Sequence, residues 1–141
     1  MPDGCVFCAI ARGDISAEVV FADEIAIAFL DHRPVFKGHC LLAPREHVVT
    51  LSDLPTDLIG PYFERAQLLA RVVESALEAD GTFVAINNKV SQSVAHLHVH
   101  VVPRRRKDGL RGFFWPRTKY AGDDEMRSYA ERIRSGIDAA R

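Results

Sequence analysis

One heptapeptide constrains this chain more than any other, His96-Leu97-His98-Val99-His100-Val101-Val102. In a β-strand, residues two apart point to the same side. His96, His98 and His100 therefore share one face. Leu97, Val99 and Val101 share the other and can anchor the strand in a core. Three of only six histidines fall within five positions, which argues against a polar edge strand formed by chance. An alternative is a catalytic zinc held by three imidazoles with a position left open. Same-face residues on one straight strand span about 13 Å between their Cα atoms, so they do not easily converge on one ion.

The surrounding pattern places this segment in an α+β chain. Cys5 to Ala11 reads as a short helix closed by Gly13. Strands are expected at Glu18–Phe21, Glu24–Leu30, His39–Ala43, Thr82–Ile86 and Leu97–Val102, with a loop over Asp31–Lys37. Leu58 to Ala79 is the long helix, because Leu58, Tyr62, Ala66, Leu69, Val73 and Ala76 recur at spacings of three and four. Thr56 is its expected N-cap and Gly81 its C′ residue. Asp123 to Ile137 reads as a C-terminal helix with Met126, Tyr129, Ala130 and Ile133 on one side. Regular helices between successive strands are too few for a parallel sheet, so the expectation is an antiparallel sheet with helices packed on it.

Composition excludes several classes. A length of 141 residues fits one domain, and a net charge of -1 indicates neither a nucleic-acid binder nor an acidic tail. The run Arg104-Arg105-Arg106-Lys107 reads as a solvated turn. No apolar stretch is long enough to span a membrane, and the N-terminus lacks the pattern of a secretory signal. Three cysteines make a poor disulfide framework. A reducing cytoplasm is the natural compartment, where Cys5-x-x-Cys8 has the spacing of a metal-ligand pair. Cys40, on an apolar strand, reads as a small core residue.

The segment Gln92-Ser93-Val94-Ala95-His96-Leu97-His98-Val99-His100-Val101-Val102 resembles the signature of the histidine triad (HIT) family of nucleotide hydrolases. Cys5-Val6-Phe7-Cys8, Phe29-Leu30-Asp31, Gly38-His39 and Pro44-Arg45-Glu46-His47 follow the family's order, so the resemblance covers about residues 5–103. Residues 104–141 form an extension to that single domain. The family's transferase branch usually carries Gln at the third triad position, so His100 points to the hydrolase branches. The resemblance implies a five-stranded antiparallel sheet with two main helices and a homodimer whose sheets run together. It implies a covalent nucleotidyl intermediate on His98, formed by attack on an α-phosphate, with release of a nucleoside monophosphate. His100 and Ser93 would meet phosphate oxygens, Gln92 would sit near the leaving group or bridging oxygen, and His39 would support the catalytic histidines from behind or on the phosphate side. Asp31 would accept from ribose hydroxyls and Asn87 would contact ribose or phosphate. The substrate would be a nucleotide, with purine expected.

The resemblance also implies a structural zinc held by Cys5, Cys8, His47 and His96. Two features depart from Hint-like members. Asn87-Asn88-Lys89-Val90-Ser91-Gln92 is short and lacks glycine, so Lys89 is a candidate contact for a polyphosphate and both phosphoramidase and dinucleoside polyphosphate hydrolase stay open. Trp115, in an aromatic tail, is a candidate to reach an active site, across a dimer in Hint-like relatives. Alternatives are a nucleotide-binding regulatory dimer with vestigial catalysis and a metal-dependent hydrolase using the triad as ligands.

Overall fold

A computed structural model of the chain describes residues 4–111 and 117–140. Trp115 lies outside them. The chain divides into two units, Met1–Asp108 and Gly109–Arg141. The first extends beyond the expected boundary at 103, because the turn after the last strand is built into it. Arg104 makes a two-point ion pair with Asp108 at 2.7 and 3.0 Å, Arg105 donates to the Leu77 carbonyl, and the Arg106 N–H donates to Asp80.

Unit one begins with α1, Val6–Arg12. It continues through β1 (Val19–Ala22), β2 (Ala26–Leu30), β3 (Cys40–Pro44) and a 3₁₀ turn, Leu51–Asp53. The long helix α2 (Thr56–Ala76), β4 (Gly81–Ala85) and β5 (Val99–Arg104) complete it. The five strands form one antiparallel sheet in the order β1-β2-β3-β5-β4. This is an α+β fold with the expected strand number and pairing sense. β5 is thus an interior strand, paired on both sides with β3 and β4.

The two faces of the sheet follow directly from the period of two. Ala26, Ala28, Cys40, Leu42, Leu97, Val99 and Val101 face α2, whose buried stripe is Tyr62, Ala66, Leu69 and Val73. Ile27, Phe29, Leu41 and Ala43 face the other way and pack on Phe7 of α1. The Tyr62 hydroxyl donates to the Leu42 carbonyl at 2.7 Å, so a fully buried polar group is satisfied and α2 is pinned over the centre of the sheet.

Three boundaries differ from expectation. Pro55, in extended conformation, occupies the N-cap of α2, and Thr56 is the first helical residue. At the other end Gly81 starts β4 and takes no part in the cap. The helix stops at Leu77, with Glu78 left-handed at φ 53°. Ala79 N–H bonds the Glu74 carbonyl and Glu78 N–H bonds Ser75, the paired closure of a Schellman motif with glutamate where glycine is usual. β5 begins at Val99, so His96 to His98 form its approach. In unit two, α3 runs Asp123–Ala140 and opens with Asp123, Asp124 and Glu125, acids that suit a helix N-terminus.

Candidate active site and candidate metal centre

The approach to β5 keeps strand-like alternation although pairing starts later. Leu97 N–H bonds the Val48 carbonyl at 2.8 Å, and Leu97 is fully buried under α2. His96, His98 and His100 consequently emerge on the α1 side. They do not form a uniform ridge. Each imidazole is tied to a different partner, and these ties assign its protons.

His98 is 4% exposed. Its Nδ1 lies 2.7 Å from the His96 carbonyl oxygen, which can only accept. Nδ1 therefore carries the proton and Nε2 carries the lone pair. Phe7 meets the ring edge-on at 5.0 Å between centroids, and His100 follows at 4.9 Å. The backbone bond and the aromatic wall hold the imidazole in one orientation.

His39 and His100 are assigned the same way. The Val35 N–H donates to His39 Nδ1 at 3.1 Å, so that nitrogen is bare and Nε2 holds the proton. His39 Nε2 lies 3.0 Å from His100 Nδ1 and donates to it. His100 must then carry its own proton on Nε2. Burial, followed by the neighbouring His98 and His39, pushes the His100 pKa down to about 4, and burial likewise lowers that of His39. Both rings stay neutral at ordinary pH. The row offers one lone pair, on His98, and one donor, on His100.

This row opens on a cavity of about 790 Å³, within the usual range for a small-molecule site. Its apolar wall includes Phe7, Ile10, Ile15, Phe29 and Leu41, and its polar lining includes Glu18, Asp31, His32, Ser93, His98 and His100. Asp31 is positioned by the Arg33 N–H on Oδ1 at 2.9 Å, and its Oδ2 sits 3.8 Å from His39. The apolar wall escaped the sequence reading. α1 was visible there as a helix, and the unused signal was that Phe7 and Ile10 recur one turn apart on it.

Gln92, Asn87 and Lys89 lie outside the cavity lining. Gln92 accepts from the Lys89 N–H at 2.8 Å and donates to the Val49 carbonyl, so its amide braces a loop. Asn87 donates to the Ser91 carbonyl within the same loop. Lys89 and Ser91 have left-handed backbones, at φ 68° and 60°, which lets the loop turn without glycine.

His96 points away from this cavity to a second cluster. Its Nε2 donates to the Pro44 carbonyl at 2.8 Å, leaving Nδ1 bare. That Nδ1 lies 3.4 Å from Cys5 Sγ, 3.5 Å from Cys8 Sγ and 3.2 Å from His47 Nδ1. Cys8 Sγ lies 3.3 Å from His47 Nδ1. Tetrahedral zinc, with Zn–N about 2.0 Å and Zn–S about 2.3 Å, needs N–N edges of roughly 3.3 Å and S–N edges of roughly 3.5 Å. The four donors fit that cage. Cys5 also caps α1, accepting from the Cys8 N–H. Burial, with the Cys5 thiol beside it, pushes the Cys8 thiol up to about 11. A divalent cation would reverse that preference.

Asp31, His39 and His100 are close enough to suggest a second metal site. The facing nitrogens of the two histidines are already joined to each other, and His39 Nδ1 is held by Val35. A metal there would have to break those bonds. The triad itself does not converge on one point, which removes the geometry required for a zinc held by His96, His98 and His100.

Comparison with known proteins agrees with this architecture. The HIT domain family model matches residues 12–107. The chain is 35% identical over 137 residues to the protein hit of Bacillus subtilis, covering 96% of this chain and 92% of that one. It is 30% identical over 135 residues to adenosine 5'-monophosphoramidase hnt1 of Schizosaccharomyces pombe, covering 94% and 98%. A crystal structure of a zinc-bound histidine triad family protein from Mycobacterium smegmatis superposes with a TM-score of 0.72 at 35% identity, covering 98% of each chain. A relative of this identity and coverage, and a family model spanning most of unit one, agree with the strand order and the histidine row: the chain belongs to the HIT domain family.

Proposed function

We propose that this protein is a nucleotide hydrolase that releases a nucleoside monophosphate from a nucleoside phosphoramidate or dinucleoside polyphosphate through a nucleotidyl-His98 intermediate. The observation that carries this reading is the fixed proton pattern of the row. His98 is held as a nucleophile with Nε2 bare, because Nδ1 is committed to the His96 carbonyl. His100 is held as a donor, because Nδ1 is committed to His39. In the first step the His98 Nε2 lone pair forms a bond to the α-phosphorus and the bond to the leaving group breaks. Charge developing on the phosphate oxygens meets the His100 Nε2–H and the Ser93 hydroxyl, both on the cavity. Water then attacks the same phosphorus and frees His98. Asp31, placed on the cavity with one oxygen not used by Arg33, would accept from the ribose hydroxyls, and the wall of Phe7, Ile10 and Leu41 suits a purine.

Cys5, Cys8, His47 and His96 would hold a structural zinc. The metal would tie the N-terminal segment to the sheet, and all four tetrahedral positions would be filled by protein. Reduced thiols suit a cytoplasmic protein, and no described helix is long and apolar enough to cross a membrane. β4 lies at the sheet edge. Pairing it with the same strand of a second copy would give the homodimer expected of the family.

Product analysis tests the reading. The protein is incubated with adenosine and guanosine phosphoramidates and with dinucleoside tri- and tetraphosphates. Nucleoside monophosphate should appear, and quenching in base should trap a nucleotidyl adduct on His98. Absence of turnover on all of these substrates refutes the enzyme and leaves a nucleotide-binding protein.

A further inference from the structure

A separate cavity of about 760 Å³ is lined by Pro34, Val35, Phe36, Lys37, Leu77 and Arg105, none of which lines the cavity of the histidine row. Four of the six are consecutive residues of the loop between β2 and β3. Leu77, at the end of α2, packs on that loop at Gly38. A Cβ there would collide with Leu77 Cδ1, and a backbone φ of 100° also calls for glycine. Arg105, from the basic run after β5, donates to the Leu77 carbonyl at 2.6 Å. Three segments of unit one therefore build a single pocket.

The pocket joins an apolar surface to two cations. Pro34, Val35, Leu77 and the half-buried Phe36 give the surface. Lys37 and Arg105 are in no ion pair among the described residues. Arg105 keeps guanidinium N–H groups beyond the one given to Leu77. Two uncompensated cations suit more than one negative charge, which a phosphate chain has and a lone carboxylate lacks. The apolar surface suits a planar ring, because aromatic and guanidinium faces stack on a base whatever its identity. A nucleoside polyphosphate meets both demands in one molecule. The location gives its binding a consequence. The Val35 N–H donates to His39 Nδ1 at 3.1 Å, and the His39 N–H donates to the Phe36 carbonyl at 3.0 Å. Val35 and Phe36 thus line the pocket and hold His39 at once.

We infer that this pocket is a second nucleotide site, which takes a nucleoside polyphosphate as an effector and acts on the histidine row through the loop that holds His39. Phosphate oxygens across Lys37 and Arg105 tie the loop to the end of α2. That tie restrains the Val35 N–H against His39 Nδ1 and so keeps the His39 proton on Nε2, where it is donated to His100. Binding at the pocket is independent of the hydrolase reading; the effect on turnover rests on it.

The experiment titrates adenosine triphosphate, tripolyphosphate and adenosine separately into the isotope-labelled full chain and follows backbone amide resonances. Phe36, Lys37 and Arg105 report this pocket, and Ile10 and Ser93 report the other cavity. The triphosphate should shift the first set saturably, with an affinity at least about tenfold above that of either fragment, because each fragment meets only part of the pocket. Lys37→Glu, at an exposed position, should abolish those shifts and leave the response of Ile10 and Ser93 as in wild type. Arg105→Gln should weaken binding about tenfold, the scale of one charge-assisted contact. With adenosine phosphoramidate as substrate, the triphosphate should raise wild-type kcat about twofold, the effect of taking a competent population from half to nearly all. Lys37→Glu should lose that rise, whereas competition at the other cavity would change KM alone. Absent shifts at the first set, shifts that survive Lys37→Glu, or tripolyphosphate binding as tightly as the triphosphate overturn the site. Binding with kcat unchanged or lowered overturns the coupling. The hydrolase reading fails separately, by absent turnover without the effector.

Discussion

His96 and His98 stand two residues apart and serve two different environments. His98 looks into an open cavity, with one nitrogen bound to a backbone carbonyl and the other bare. His96 looks into a closed cluster of two thiols and an imidazole, and its other nitrogen is also bound to a backbone carbonyl. The device is the same and the outcome differs. In each ring a main-chain oxygen fixes the proton, and the surroundings decide what the lone pair can do. In the function proposed above, the lone pair beside the cavity would be the nucleophile, and the one among soft donors at tetrahedral spacing would be a metal ligand. The His96 carbonyl also holds His98, so the two regions meet at one residue. That residue is restrained by Pro44 and, through Leu97, by Val48, independently of any ion.

The sharpest way to break this comparison is to remove one lone pair. His98→Ala should lower kcat by at least about 10⁴-fold, the scale of losing a covalent nucleophile. Nucleotide affinity and circular dichroism should stay near wild type. Residual turnover within tenfold of wild type would assign the chemistry elsewhere. His100→Ala should cost less, about 10²-fold in kcat with a small change in KM, because it deletes one donor to developing charge. A loss confined to KM would mean that His100 binds ground state and transition state alike.

The metal side is broken by Cys5→Ser with Cys8→Ser. Elemental analysis should find about one zinc per wild-type chain and none in the double variant. The melting temperature should fall by about 10 °C or more. Turnover at a temperature where the variant remains folded should stay within about threefold, since the bonds holding His96 survive. Loss of catalysis in demonstrably folded protein would merge the two regions into one functional unit.

The smallest effect sharpens the difference in proton affinity. The folded-state pKa of His100 lies near 4, below its ordinary value of 6.5. Between those values the unfolded chain binds more protons, so stability increases with pH across that window and is complete above about 6.5. Acidification from pH 7 to 5 should therefore lower the melting temperature by a few degrees, and His100→Gln should reduce that decrease. An unchanged acid limb in the variant would place the sensitivity in His39 or His96, whose pKa values are also lowered by burial.

Much of this was legible in the sequence for a local reason. The alternation of His96 to Val101 fixes which side chains share a face, because a pleated chain has a period of two wherever it is extended. It holds here through residues that precede the paired part of β5. The stripe Tyr62, Ala66, Leu69, Val73 fixes the buried face of α2 by the same kind of argument at period 3.6. End signals were less reliable. Gly81 reads as a helix stop, yet Glu78 took the left-handed position, because closing the cap on Glu74 and Ser75 outweighed the modest cost of a Cβ there. Gln92, adjacent to the signature, reads as a site residue, and the structure spends its amide on the loop.

By itself, then, the sequence determined periodicity: the face of every histidine on the β5 segment, the stripe of α2, and the pairing sense of the sheet. Only the tertiary structure decided where each lone pair points. Cys5 and His96 are 91 residues apart, and their contact exists because α1 packs Phe7 onto the sheet face that carries the histidines. The tautomers of His39 and His100 depend on a backbone N–H at Val35 in a loop and on a neighbour 61 residues away. A proton position on imidazole is set by the partner of the other nitrogen, and that partner is a matter of folding in three dimensions, which spacing along the chain does not encode.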